Sequence, residues 1–152
     1  MIFMKRGVMT EDTYDLERFV RAQAGIYDRV LTELRAGEKR SHWMWFIFPQ
    51  IKGLGMSEMS VRFAIYSLDE AKAYLEHAIL GPRLLECVEA VLAVEGRGVD
   101  RIFVYPDDMK FGSSLTLFAR ASGAGSVFER ALVKYFGGRE DEATLRQLGL
   151  YR

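Results

Sequence analysis

Two segments of the chain concentrate the side chains that could do chemistry. The first, KRSHWMWFIFPQ at 39–50, places two cations and a histidine beside two tryptophans and ends in an amide. The second, YPDDMKFGSSLTLF at 105–118, combines carboxylates, a lysine and serine and threonine hydroxyls. Cations and hydroxyls bind phosphate or sugar groups, and a tryptophan face stacks on a flat ring. If the two segments meet in the fold, they predict a ligand site.

The spacing in the second segment predicts that three polar side chains face the same way. If Asp107 opens a helix, Lys110 follows it at i+3, and Ser114 follows the lysine at i+4. Such a group could hold a phosphate or a sugar, or activate a serine through a desolvated lysine. In the alternative, purely structural interpretation, the aspartates cap a helix, the lysine extends along the surface, and the hydroxyls bond back to the preceding turn.

The first segment can be read as a short helix or as a buried strand over residues 41–48, and the surrounding helical pattern favours the helix. In a helix, Trp43 and Trp45 point about 200° apart and cannot form one stacking platform. In a strand they share a face. Large aromatics are more often core than ligand platform. His42, beside them, is a reserve acid or base because histidine titrates near neutral pH.

Gln23 is a third feature, because it stands where the first helical pattern calls for an apolar residue, between Phe19 and Tyr27. A polar group on a buried face must find a partner. The alternatives are a core amide paired within the protein and the wall of a pocket.

These motifs, with DLERFVRAQ, LGPRLLE and FGGREDEATL at matching spacing, closely resemble the family of uncharacterised proteins DUF1810 over nearly the whole chain. The resemblance implies a mainly helical, single-domain bacterial protein whose activity is not established. Carried over position by position, the family's characteristic polar residues are Gln23, Lys39, Arg40, Ser41, His42, Gln50, Asp107, Asp108, Lys110, Ser113, Ser114 and Thr116.

We hypothesise that the protein binds a small anionic ligand with a flat ring, such as a nucleotide or an ADP-ribose-like sugar phosphate, and that it hydrolyses the ligand. The catalytic candidates are Asp107 or Asp108 as general base, His42 and Lys110. The ligand-binding candidates are Gln23, Lys39, Arg40, Ser41, Trp43, Trp45, Gln50, Ser113, Ser114 and Thr116. Neither a metal nor a cofactor is expected, since the histidines and the cysteine lack ligand spacing.

The competing hypothesis is a non-catalytic protein-interaction module whose charged rim meets a protein partner. Nucleic-acid binding is disfavoured, because 21 basic and 21 acidic residues cancel. The longest apolar run is far shorter than the about 20 residues that span a bilayer, and no signal peptide is recognisable. We therefore expect a cytoplasmic protein without membrane contact.

The 152 residues suffice for one core, and the single cysteine excludes an intramolecular disulfide. We expect an N-terminal extension over residues 1–13 and one domain over 14–152, built as a bundle of about eight short helices. A minor strand pair over 43–48 and 101–105 is the alternative. Helices are predicted at 14–36, 41–48, 57–66, 67–76, 81–95, 107–119, 126–136 and 141–148, with a short turn at Asp100.

Overall fold

A computed structural model describes residues 11–150, and ten α-helices account for the regular structure of this part of the chain. The mainly α prediction is therefore confirmed, with ten helices where about eight were expected. Most of the predicted N-terminal extension, residues 1–13, lies outside the described residues. No helix of the described part is long and apolar enough to cross a membrane. The helices are α1 Glu17–Gln23, α2 Tyr27–Arg35, α3 Met44–Ile47, α4 Glu58–Arg62, α5 Leu68–Glu76, α6 Leu80–Leu92, α7 Val99–Ile102, α8 Asp107–Ser122, α9 Val127–Phe136 and α10 Glu142–Gln147.

Helix α8 runs through the middle of the fold, and every residue from Phe111 to Ala119 on it is buried. Helices α5, α7, α9 and α10 pack around it, which is why all its sides are covered. Phe48, just after α3, places its ring 5.9 Å from that of Phe103 and 5.0 Å from that of Phe111. Because Phe48 belongs to the first chemical segment and Phe111 to the second, this aromatic contact brings the two segments together.

The single helix predicted over 14–36 is wrong, since the chain forms α1 and α2 with a break between them. Gly25 at the break has φ of +78°, a left-handed conformation that favours glycine. Periodicity could not show this break, because the apolar pattern continues with the same spacing on both sides.

Residues 44–47 form the short helix α3, as the surrounding pattern favoured. The alternative strand pair over 43–48 and 101–105 is absent, since residues 99–102 form α7. An isolated parallel bridge joins Ile51 to Ile65 instead. The Ile65 N–H donates to the Gln50 carbonyl at 2.8 Å, and the Lys52 N–H donates to the Ile65 carbonyl at 2.8 Å. These two bonds fix the loop over residues 50–55 beside the chain that follows α4.

A side chain caps the start of four helices, α4, α5, α9 and α10, but not that of α8. The predicted caps at α8, Asp107 or Asp108, are wrong: the helix begins after Pro106 without a side-chain cap. The helix predicted over 57–66 is shorter than expected and ends at Arg62. The capping residues, each accepting a hydrogen bond from the backbone N–H three residues later, are Ser57, Ser67, Ser126 and Asp141.

Candidate functional site

A cleft lies between the α3 segment with its following loop and the start of α8, and both chemical segments line it. Its inner recess has a volume of about 20 Å³ and is walled by Trp45, Gln50 and Lys110 together with apolar side chains. Its outer part, about 280 Å³, shares Gln50 and Lys110 and adds Tyr105, Met109 and Ser113. Leu54, Gly55 and Ser60 border both parts. We call these two parts together the α3–α8 cleft.

Three charged side chains, Lys39, Asp107 and Lys110, form two consecutive ion pairs at the wall of this cleft. Nζ of Lys39 lies 2.9 Å from Oδ2 of Asp107, and Nζ of Lys110 lies 3.6 Å from Oδ1 of the same carboxylate. The predicted i, i+3 pairing of Asp107 with Lys110 is thus confirmed. The Lys39 side chain is only 9% exposed and also lies over the Trp43 ring, 5.0 Å from its centroid. The Lys39 ammonium is therefore occupied by contacts within the protein, whereas Lys110 lines the cleft.

Trp45 lines the inner recess beneath Lys110, whose Nζ lies 5.0 Å from the centroid of the Trp45 ring. The indole Nε1 of Trp45 is buried and has no hydrogen-bond acceptor among residues 11–150. Buried N–H groups are paired in the great majority of cases, and an orphan needs an explanation. This unpaired donor belongs to a side chain that lines the recess.

Trp43 has a different role, because its indole N–H donates to Glu33 at 2.9 Å. Its side chain is buried in the core, 1% exposed. The two tryptophans therefore do not form one stacking platform, which agrees with the helical alternative for this segment. Trp43 is better described as part of the core than as a ligand platform.

Glu33, which our sequence analysis missed, organises the loop before α3. Burial alone would raise the pKa of this carboxyl group. Hydrogen bonds to the carboxylate outweigh that effect and lower the pKa from 4.5 to about 2. The signal was available, since Glu33 follows Val30 at i+3 on an apolar face, as Gln23 follows Phe19 at i+4. The donors are the backbone N–H groups of Arg40 and Ser41, the Ser41 hydroxyl and the Trp43 indole.

Gln23 is 2% exposed and is paired within the core rather than lining the cleft. Its Nε2 donates to the Phe46 carbonyl at 2.8 Å and to the Tyr74 hydroxyl at 3.3 Å. Its Oε1 accepts from Arg83 at 3.2 Å. This amide joins α1, α3, α5 and α6, which is the core-amide alternative of the sequence analysis.

The hydroxyls of α8 mostly serve the helix packing. Ser113 and Thr116 donate to the carbonyls of Met109 and Gly112, as the structural alternative expects. Ser113 also lies 3.1 Å from Asp141 Oδ2, and Thr116 accepts from the Asp141 N–H at 2.8 Å. Both therefore hold the start of α10. Ser114, 1% exposed, does not border the cleft, so the expectation that it shares a working face with Lys110 is wrong.

Three further predicted polar residues also lie away from the cleft lining. The side chain of Arg40 pairs at the surface with Glu38, 3.2 Å away. Asp108 turns back to accept a hydrogen bond from the Met109 N–H at 2.9 Å. His42 is exposed and has no polar partner among the residues that the structure describes. The cleft thus brings together Trp45, Gln50, Lys110 and Ser113, with Lys39 and Asp107 acting on Lys110 from behind.

No group of histidine, cysteine, aspartate and glutamate residues within 11–150 is arranged to hold a metal ion. Residues that the sequence analysis did not select complete the cleft walls, chiefly Leu54, Ser60, Tyr105 and Met109. Tyr105 and Met109 lie in the second segment, whereas no motif marks Leu54 and Ser60, which join the cleft only when the loop over 50–55 folds toward α8.

Comparisons with known proteins agree with the motif resemblance. The chain is similar to the conserved hypothetical protein Rv1873 from Mycobacterium tuberculosis, known from a crystal structure. The two chains are 56% identical, the match covers 91% of this chain and 99% of that chain, and the TM-score is 0.89. Among curated proteins, none matches the chain. A family model described as "Protein of unknown function (DUF1810)" matches residues 13–148, and the chain therefore belongs to this family.

Proposed function

We propose that the α3–α8 cleft binds a small anionic ligand with a flat ring, the class to which nucleotides and sugar phosphates of nucleosides belong. One observation carries the proposal: the Lys110 ammonium lies over the Trp45 ring where both side chains line the recess, and the indole N–H of that ring lacks an acceptor among residues 11–150. A cation and an N–H donor on one apolar wall match an oxyanion, and the rings of Trp45 and Tyr105 offer apolar surface to a ring.

The volume of the cleft limits the size of the ligand that can bind. The outer part, about 280 Å³, is near the lower end of the roughly 300–1,000 Å³ typical of ligand sites. One ring with one anionic group fits this volume better than a dinucleotide-sized molecule. ADP-ribose, a dinucleotide-sized member of the class that we hypothesised from the sequence, is therefore a poorer match in size.

Binding is better supported than hydrolysis. Both oxygens of Asp107 face lysines, and Asp108 and His42 do not border the cleft. A general base must reach the reacting group within hydrogen-bond distance. The bases that the sequence predicted therefore give hydrolysis no support, and hydrolysis stays a hypothesis.

Calorimetric titration and thermal unfolding with AMP, ribose 5-phosphate and benzoate test the proposal. Wild-type protein should bind at least one of these probes, and ligand at about 100 times Kd should stabilise it by about 2.7 kcal/mol. Lys110→Met should weaken binding about tenfold or more, whereas Lys72→Met, at an exposed lysine on α5, should not. Equal affinity in Lys110→Met and wild type, or no binding of any probe, would contradict the proposal.

A protein-interaction surface is the second candidate, favoured by large exposed apolar side chains: Tyr105 and Met109 line the cleft, and Val104 precedes Tyr105 in the sequence. Val104, Tyr105 and Met109 are 71%, 73% and 56% exposed. A photo-crosslinking amino acid at position 105 tests it in the cells that make the protein. The interaction hypothesis expects one defined protein adduct at this position and none from Val133, which is 63% exposed on α9. Equal labelling at both positions would contradict it.

A further inference from the structure

We infer that the group held at Lys110 is an oxyanion with a single negative charge, such as a carboxylate or a phosphodiester, and not a doubly charged phosphomonoester. The inference rests on the proposed function, because it specifies which anion the same cleft takes.

The cluster formed by Lys39, Asp107 and Lys110 carries a net positive charge. Lys39 and Lys110 contribute two positive charges and Asp107 one negative charge, which leaves one positive charge unpaired. The three side chains are 9%, 26% and 21% exposed, so solvent screens this charge only in part. Buried charge is costly unless it is paired. A monoanion neutralises the cluster, whereas a dianion would leave one negative charge over.

Few charged side chains other than Lys110 line the cleft, and none of them among residues 11–150 adds a positive charge. Among described residues, Lys110 is the one charged side chain lining the inner recess, and Asp141 is the only further one in the outer part. The Asp141 carboxylate accepts from Thr144 at the start of α10, and because its repulsion grows with the charge of the ligand, it disfavours a dianion more than a monoanion. No arginine of residues 11–150 lines either part, although paired arginine donors are the usual partners of a phosphate dianion.

The inner recess is too small for more than one group of the ligand. Its volume of about 20 Å³ has room for one water-sized group, because a water needs about 10–15 Å³. One oxygen of the anion can enter, so its other oxygens lie in the outer part, which Asp141 also lines and where a second negative charge is disfavoured. The remaining atoms of the ligand then lie in the outer part of the cleft.

Titration of the wild-type protein with benzoate, methyl phenyl phosphate and phenyl phosphate, at pH 8 and at pH 5, tests the inference. A phosphomonoester has its second pKa near 6, so phenyl phosphate is a dianion at pH 8 and mostly a monoanion at pH 5. At pH 8 we expect benzoate or the diester to bind about tenfold or more tightly than phenyl phosphate. At pH 5 phenyl phosphate should approach the diester. Comparison of benzoate with the diester then tells which source of monoanion the cleft prefers.

The Asp107→Asn variant gives a second reading, because it raises the cluster charge from one to two. Its preference should shift toward phenyl phosphate at pH 8; an unchanged preference would contradict the inference. If this variant does not fold, the wild-type pH series decides alone. Phenyl phosphate binding as tightly as the diester at pH 8 would overturn the inference and leave the proposed function standing. No binding of any of the three probes would overturn both.

Discussion

Lys39 and Asp107 form an ion pair, with 2.9 Å between Nζ and Oδ2, that joins the loop before α3 to the first turn of α8. This pair sets the wall of the α3–α8 cleft in two ways. It ties together two segments that lie far apart in the sequence. It also uses one oxygen of Asp107, so the carboxylate neutralises Lys110 only in part.

Replacement of Lys39 by Met should therefore weaken anion binding although Lys39 does not border the cleft. Asp107 would then serve Lys110 alone, and the charge of the cluster would fall from plus one to zero. Loss of the buried contact should also lower the free energy of unfolding by about 1.5–3 kcal/mol, as measured by urea unfolding. Arg40→Met is the matched control, because its exposed pair with Glu38 should contribute no more than about 1 kcal/mol. Similar losses in the two variants would contradict this role of Lys39.

Replacement by Phe should mainly lower stability at Trp43 and mainly lower ligand affinity at Trp45. Trp43→Phe removes a buried donor to Glu33 and should lower the free energy of unfolding by about 1.5–3 kcal/mol. Trp45→Phe removes an N–H that has no acceptor in residues 11–150 and should change stability little. Ligand affinity should fall in Trp45→Phe instead. Urea unfolding and calorimetric titration of both variants check this, and a stability loss at Trp45 equal to that at Trp43 would count against the assignment.

Stability should depend on pH through Glu33. Its pKa is about 2 in the folded protein against an ordinary 4.5, so the folded state binds its proton less readily than the unfolded chain. The stabilisation is therefore full above about pH 4.5 and is lost as the pH falls toward 2. Glu33→Gln should be less stable than wild type at pH 6, and the difference should shrink by pH 2. Urea unfolding at both pH values checks this.

Glu58→Gln is the control for that series, since Glu58 is exposed at the start of α4. Its stability should follow that of the wild type at both pH values. A Glu33→Gln deficit that stays constant between pH 6 and pH 2 would show that the Glu33 carboxylate does not control acid stability.

The contact between α5 and α6 should not tolerate a side chain at Gly81. A Cβ there would lie 2.1 Å from the carbonyl oxygen of Leu75, which is backbone and cannot move freely. Gly81→Ala should destabilise the protein by about 1–3 kcal/mol, the range found for overpacking. Gly98→Ala is the control, because its Cβ would meet only the side-chain oxygen of Asp100, at 2.8 Å. Thermal unfolding of both variants distinguishes a backbone clash from a general effect of alanine.

Local chemistry explains which parts of the fold could be predicted. Helix α9 is an example, because the residues that mark its two ends directly flank it in the sequence. Ser126 caps its start, and Gly137, with φ of +63°, ends it. The break at Gly25 was missed because glycine inside a helical pattern is ambiguous and the apolar period continues past it. Asp107 was expected to cap α8 because aspartate is a common cap, but an ion pair with the distant Lys39 takes its carboxylate.

The same distinction applies to the candidate site. The pairing of Asp107 with Lys110 was predicted because it depends only on helical spacing. The separation of the two tryptophans also follows from helical spacing, but which of them reaches the cleft depends on Glu33, because this residue binds the Trp43 indole and Trp45 lines the recess. Ser113 and Thr116 were selected for their hydroxyls, but the start of α10 folds back onto them through Asp141. Long-range contacts of this kind are not encoded in the spacing of a single segment.

The indole N–H signals in a proton–nitrogen NMR spectrum test the central claim most directly, because the chain has two tryptophans and so two such signals. The Trp45→Phe variant assigns them. On titration with benzoate, the Trp45 signal should shift as its N–H gains an acceptor, while the Trp43 signal, already bonded to Glu33, should stay in place. Benzoate that binds without moving the Trp45 signal, or that moves the Trp43 signal more, would contradict a ligand site in the α3–α8 cleft.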